Sequence, residues 1–272
     1  MSGEVRAHYD LGLERARLSA GAGLIERART EEVLRRWLPA PPARVLDVGG
    51  GPGTYVPWLT GLGYEVHLVD PVPLHVDQAR AAGAARARVG DARRLDEADA
   101  GYDAVLLLGP LYHITDRDGR VGALGEARRV VREGGVVAAA AISRFASLLD
   151  GLVTGALDDP DFAAIVERDL VDGQHRNPSS RPEWFTTAFF HHPDDLKAEV
   201  GAAGLRVEEL VGLEGPAWLV RDLDARWADP QGRERLLGAA RAVEREPALL
   251  GLSAHLLAVA RPHGPVLPPH PG

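Results

Sequence analysis

The stretch RVLDVGGGPGTYVPWL, residues 44–59, sets the strongest constraint on what this chain can fold into. An apolar run of strand length meets Gly49, Gly50, Gly51 and Gly53 before a helix-like segment begins near Tyr55. A strand, a glycine turn and a helix start bring bare backbone N–H groups and the positive end of a helix dipole to one point, with no Cβ in a ligand's way. Such a turn belongs at the carboxyl edge of a parallel sheet, where open α/β sheets bind ligands.

The residues that follow keep the same rhythm. Strands are predicted at 44–48, 65–70, 86–89, 102–107 and 135–141, with helices at 55–62, 74–82 and 117–132 between them. A helix at 194–203, a strand at 206–212 and a last strand at 253–260, expected to run antiparallel, complete a seven-stranded, mostly parallel, doubly wound α/β sheet. Residues 1–42 read as an N-terminal helical cap ahead of the main domain at 43–261. That domain carries two insertions, an expected lid at 143–192 and a helical segment at 214–252, and the proline-rich tail 262–272 reads as disordered.

Composition narrows the chemistry. With no cysteine, disulfides, thiolate nucleophiles and cysteine-bound zinc are excluded. A net charge of −8 argues against a nucleic-acid partner, whose phosphates call for a basic footprint. No apolar run approaches the roughly 18 residues that span a bilayer. The first residues carry mixed charge and no apolar signal core, so a cytoplasmic location away from membranes is expected.

The glycine turn does not make a dinucleotide fingerprint, because Thr54 stands where G-x-G-x-x-G needs its third glycine. The pattern present is acid-x-G-x-G-x-G, formed by Asp47, Gly49, Gly51 and Gly53. It resembles motif I of the class I S-adenosylmethionine-dependent methyltransferases. The resemblance continues in order through HLVD ending at Asp70, VGDARRLD with Asp91, YDAVLLLGPLYHI, and EARRVVREGGVVAAA, and covers residues 44 to about 141. It implies a Rossmann-like fold and S-adenosyl-L-methionine as cofactor. It also implies that Asp70, seventeen residues past Gly53, binds the ribose hydroxyls, that Asp91 accepts from the adenine amino group beside Ala92, and that Leu108 and Gly109 lie near the sulfonium. Tyr9, Arg17 and Arg29 are candidates for the cofactor's methionine end, since an arginine fork suits a carboxylate. The plainer readings are a turn-capping role for the aspartates and a solvated helix face for the arginines.

The segment after the fourth strand carries the acceptor chemistry that the resemblance implies. His113 is a candidate general base for an oxygen acceptor or a structural hydrogen-bonding residue, and Tyr112 a candidate to orient the acceptor. Family members that methylate amide or base nitrogens carry Asp or Asn before Pro-Pro-Tyr, whereas this chain has Gly109-Pro110-Leu111-Tyr112, which favours O-methylation. No acid lies between Leu106 and Thr115, so no metal site is expected. His175, in the expected lid with Arg176, Asn177, Trp184, Phe185, Phe189, Phe190 and His191, is a third catalytic candidate. The expected function is methylation of a small molecule. Modification of an RNA nucleoside and a non-catalytic, cofactor-binding regulator are the alternatives, and oligomeric state is not legible.

Overall fold

A computed structural model describes residues 17–179 and 181–263 of the chain. Tyr9, the first residues of the expected cap and residues 264–272 of the expected tail lie outside the described residues. Along the chain come α1 (Ala22–Trp37), β1 (Arg44–Val48), α2 (Val56–Gly61), β2 (Glu65–Asp70), α3 (Pro73–Ala81), β3 (Arg86–Val89), β4 (Tyr102–Leu107), α4 (Pro110–His113), α5 (Arg117–Val130) and β5 (Val131–Ile142). The 143–192 segment holds α6 (Ala146–Thr154), α7 (Pro160–Asp172) and a small hairpin of β6 (Gln174–His175) and β7 (Ala188–Phe189). After it come α8 (Pro193–Ala202), β8 (Leu205–Gly212), α9 (Leu223–Ala228), α10 (Pro230–Val243) and β9 (His255–Pro262).

Seven strands form the main sheet in the order β3-β2-β1-β4-β5-β9-β8. β1 to β5 run parallel, while β9 pairs antiparallel with both β5 and β8, as expected. Central strands covered on both faces must be apolar throughout. In β4, Val105 and Leu107 face one way onto Leu124 and Ala127 of α5, while Ala104 and Leu106 face the other way, toward the cluster of Leu34, Val56 and Leu59. The strand order reverses at β1, which has β2 on one side and β4 on the other. The crevice at the carboxyl ends of β1 and β4 is therefore the place where this architecture receives a ligand.

Local chemistry sets the helix starts. Asp116 caps α5 by accepting from Gly119 N at 2.6 Å, and Asp229 caps α10 by accepting from Gly232 N at 2.8 Å, with Pro230 in its first turn. β5 begins at Val131 rather than 135 because its register slips opposite Tyr102 and Ala104, with Gly134 at φ 71°, so the strand continues across what reads locally as a Glu-Gly-Gly turn. β9 begins at His255 rather than 253, since Ser253 is occupied in donating its hydroxyl to Glu214 at 2.6 Å.

Arg29 is the main departure from expectation. It is fully buried on the inner face of α1, where its guanidinium donates to Leu213 O at 3.2 Å and pairs with Glu32 and Glu244. Arg29 does not line the crevice, and its three partners make it a tie between α1 and the β8 edge of the sheet. Arg29→Met would leave Glu244 with Arg36 at 2.7 and 2.9 Å and Arg245 at 3.6 Å. A loss of about 2–4 kcal/mol in unfolding free energy is expected from urea titration, with cofactor affinity retained by calorimetry. Full stability with lost cofactor affinity would return Arg29 to the site.

Candidate active site

The crevice is built first by the glycine turn. Gly49, Gly51 and Gly53 have φ of 67°, 56° and 80°, the left-handed region. At Gly49 the space is also filled, since a Cβ would lie 2.9 Å from Pro110 Cδ in the loop after β4. At Gly50 a Cβ would lie 2.4 Å from the Asp47 carboxylate, which is tucked beneath the turn. Asp70, at the end of β2, braces the turn from the side: its Oδ2 accepts from Gly51 N at 2.9 Å, and its Oδ1 accepts from Val72 N at 2.9 Å and meets His75 Nδ1 at 3.1 Å.

Asp47 is 1% exposed, and neither of its carboxylate oxygens has a hydrogen-bond partner among the described residues. Burial, helped by the charge of Asp70, pushes its carboxyl up to about 7. A buried carboxylate without donors is costly, and a ligand that brings a cation or N–H groups would relieve it. Asp91, on the opposite wall beside Ala92, accepts from the backbone and side chain of Arg93, and those hydrogen bonds hold its carboxyl down to about 2.

The cleft encloses about 240 Å³. Asp47, Gly49, Gly51, Asp70, Asp91, Ala92, Leu108 and Gly109 all line it, as do Arg17, Tyr112 and His113. Gly53 is instead packed against Ala79 of α3 and shapes the turn from behind. Arg17 forms a two-pronged pair with Glu26 at 2.6 and 3.0 Å. On the acceptor side, the His113 ring lies 4.6 Å from Tyr112 and 5.8 Å from Phe185, centroid to centroid. Phe185 holds φ 64°, a conformation that a bulky side chain adopts only where its surroundings impose it.

His175 is not brought to the cleft. It is buried inside the 143–192 segment, between Asp169 Oδ2 at 2.9 Å and Trp184 O at 2.8 Å, with its ring stacked on Phe190. Both ring nitrogens are engaged there, which makes it a brace of that segment and corrects the expectation of a catalytic role. The residue this segment does supply to the cleft is Thr187, beside β7. Thr187, Tyr55 and His75 also line the cleft, outside the sequence-predicted set. His75 had a readable signal, since Pro73 starts a helix three residues after Asp70 and sets His75 within its first turn; Thr187 had none, because its position depends on hairpin pairing.

Glu26, Glu214 and His255 place ligand-type atoms within 4.8 Å of one another, a grouping that could hold a cation. Their charges are already matched within the protein: His255 Nδ1 meets Glu214 Oε1 at 2.6 Å, and Arg17 holds Glu26. Burial works against the His255 charge, but Glu26 and Glu214 outweigh it and keep its pKa above the ordinary value.

Comparison with known proteins finds methyltransferases. Residues 45–135 match the family model described as a methyltransferase domain. The chain is 31% identical over 176 residues to a ubiquinone biosynthesis O-methyltransferase of Azorhizobium caulinodans, a match covering 62% of this chain and 61% of that protein's length. The fold is similar to the methyltransferase in a complex with a methyltransferase activator from Haloferax volcanii, with a TM-score of 0.60, 18% identity, and coverage of 96% of this chain and 98% of that one. It is also similar to an S-adenosylmethionine-dependent methyltransferase from Mesorhizobium loti, with a TM-score of 0.58, 17% identity, and coverage of 87% and 99%. Among the described residues no helix is long and apolar enough to cross a membrane.

The Asp47 geometry has a pH consequence for the ligand-free protein. Its folded pKa is raised, so the native state holds a proton that the unfolded chain releases above about pH 4. The associated stability is full below that point and is lost as pH rises toward 7. Asp47→Asn should therefore match the parent near pH 4 and exceed it at pH 8 by on the order of 3–4 kcal/mol. Denaturant midpoints across that range measure the difference, and parallel curves would show that Asp47 does not carry the shift.

Proposed function

We propose that this chain, whose residues 45–135 are a methyltransferase domain of the class I, S-adenosylmethionine-dependent type, methylates an oxygen of a small molecule with His113 as general base. The observation that carries the proposal is the meeting in one cleft of a donorless buried carboxylate, Asp47, and an imidazole flanked by aromatic rings, His113.

The residues fit the cofactor. Its ammonium would relieve Asp47, and the Arg17 fork is the cleft's candidate for its carboxylate, in exchange with Glu26. Ribose hydroxyls would donate to Asp70, whose Oδ2 accepts from Gly51 alone among the described residues, while Asp91 and Ala92 would take the adenine. When bound, the cofactor supplies an electrophilic methyl group on a sulfonium. The chain's own contribution is alignment in a pocket from which water is excluded, together with proton removal. Tyr112 and Thr187 orient the acceptor hydroxyl, His113 takes its proton, and the 143–192 segment serves as a lid.

The relative from Azorhizobium is named for O-methylation in ubiquinone biosynthesis, which supports an oxygen acceptor. The net charge of −8 supports a small molecule over RNA. Incubation with methyl-labelled S-adenosylmethionine and cell extract split into small-molecule and RNA fractions tests both choices. Label is expected in the small-molecule fraction as a methyl ether or ester. Label in RNA would move the reading to nucleoside modification, and cofactor binding with no labelled product would make the chain a regulator. With the acceptor identified, His113→Ala should lower turnover by about 10² to 10⁴ and leave cofactor affinity intact. The parent's activity should rise through about pH 6–8 and the variant's should not. A fall in cofactor affinity along with turnover would instead make His113 a shaping residue of the turn.

A further inference from the structure

The hairpin of β6 and β7 and the loop after β4 are far apart in sequence, yet two side chains tie them together. Gln174, in β6, donates from Nε2 to Thr115 O at 3.0 Å. Arg120, on α5, donates from Nη1 to Ile114 O at 3.0 Å, while its guanidinium lies 3.6 Å from the centroid of the Phe189 ring in β7. The rest of the Arg120 fork is held by Glu199 of α8, with Nη2 at 2.6 Å and Nε at 2.9 Å. Burial opposes ionisation of Glu199, but His191 and Arg120 prevail and keep its carboxyl down to about 2. The buried cation is thus matched by a charged partner and locked in orientation.

We infer that Arg120 and Gln174 are positioning residues that set the register of the hairpin against the acceptor loop, so that Thr187 and His113 face one acceptor. This inference rests on the proposed methyl transfer for its purpose, though its geometry stands apart from it. Ile114 and Thr115 follow His113 directly, and both line the cleft. Thr187 precedes β7, whose Phe189 pairs with Gln174 across the hairpin. A shift at either carbonyl would turn His113 relative to Thr187. Arginine is required because one planar group must meet a carbonyl, a carboxylate and an aromatic face together; lysine offers a point charge without the fork. Gln174 is required as a donor, since the Thr115 carbonyl only accepts.

The His113 ring sits close enough to Tyr112 and Phe185 for their ring currents to shift its carbon-bound protons, which makes those protons a gauge of loop position. The experiment compares parent, Gln174→Leu and Arg120→Lys by NMR of the His113 Cε1 proton. Amide exchange over 113–116 and 186–190 is followed in parallel, with S-adenosylhomocysteine affinity read by calorimetry. Both variants are expected to move the His113 resonance toward that of a free imidazole. Exchange in the two segments should quicken together by about tenfold, with affinity for the probe changed by less than about threefold. An unmoved His113 resonance in Gln174→Leu would overturn the inference even if Arg120→Lys failed to fold. Loosening of the hairpin alone, with 113–116 unchanged, would overturn it as well. Failure of the parent to bind S-adenosylhomocysteine would count against the proposed function, while the resonance test of the two tethers would keep its meaning.

Discussion

The bracing of the glycine turn by Asp70 is the interaction on which the site depends. β1 and β2 end side by side, with Val48 opposite Val69, so one carboxylate at the end of β2 reaches the backbone N–H of Gly51 in the turn after β1. The same carboxylate receives Val72 N and meets His75, which ties the start of α3 to the turn. Held this way, the turn covers Asp47 so closely that Gly50 has no room for a Cβ, and it meets Pro110 of the neighbouring loop across Gly49. The two loops at the switch point are therefore in contact before any ligand arrives, and pre-positioned groups need less reorganisation on binding.

The segments added to the sheet are attached by buried arginines as much as by apolar surface. Arg29 joins α1 to Leu213 and Glu244, and Arg120 joins α5 to α8, to the hairpin and to the acceptor loop. Apolar contact alone tolerates sliding, whereas a forked donor with two or three fixed acceptors specifies an orientation. Each such group requires every partner to be present, because an unpaired charge at these depths is strongly unfavourable. Placement of the 143–192 segment over the cleft thus rests on a few directional contacts, in a part of the chain whose α6 and α7 leave Leu152, Val153 and Val171 exposed.

Much of the lining of the candidate cleft is legible in the sequence. Asp47 and Asp70 lie in the last two positions of their strands, Asp91 lies two residues past β3, and His113 closes the short helix that follows β4, and in a parallel sheet all those strand ends share one edge. Local pattern therefore implied proximity. Arg29 and His175 show where that reasoning fails. Arg29 lies on a helix whose buried stripe also holds Ile25 and Val33, and its depth was hidden because arginine usually marks a solvated face. His175 reads as a lone imidazole in a polar aromatic stretch, yet Asp169 one helical turn and a bend away captures it.

What the sequence determined by itself was the set of strands of the main sheet and their mostly parallel direction, the glycine turn, and the row of polar residues along the carboxyl edge. All of these follow from short-range periodicity and from right-handed crossovers. What only the tertiary structure decided was which polar side chains face the cleft and which are spent on holding it. Gln174 and Arg120 meet Thr115 and Phe189 across about 60 to 70 residues of chain, Thr187 is placed by the hairpin they anchor, and no local pattern encodes these positions. The physical reason is that a hydrogen bond's partner is selected by packing in three dimensions, whereas the tendency of a segment to become strand, turn or helix is carried by its own neighbours.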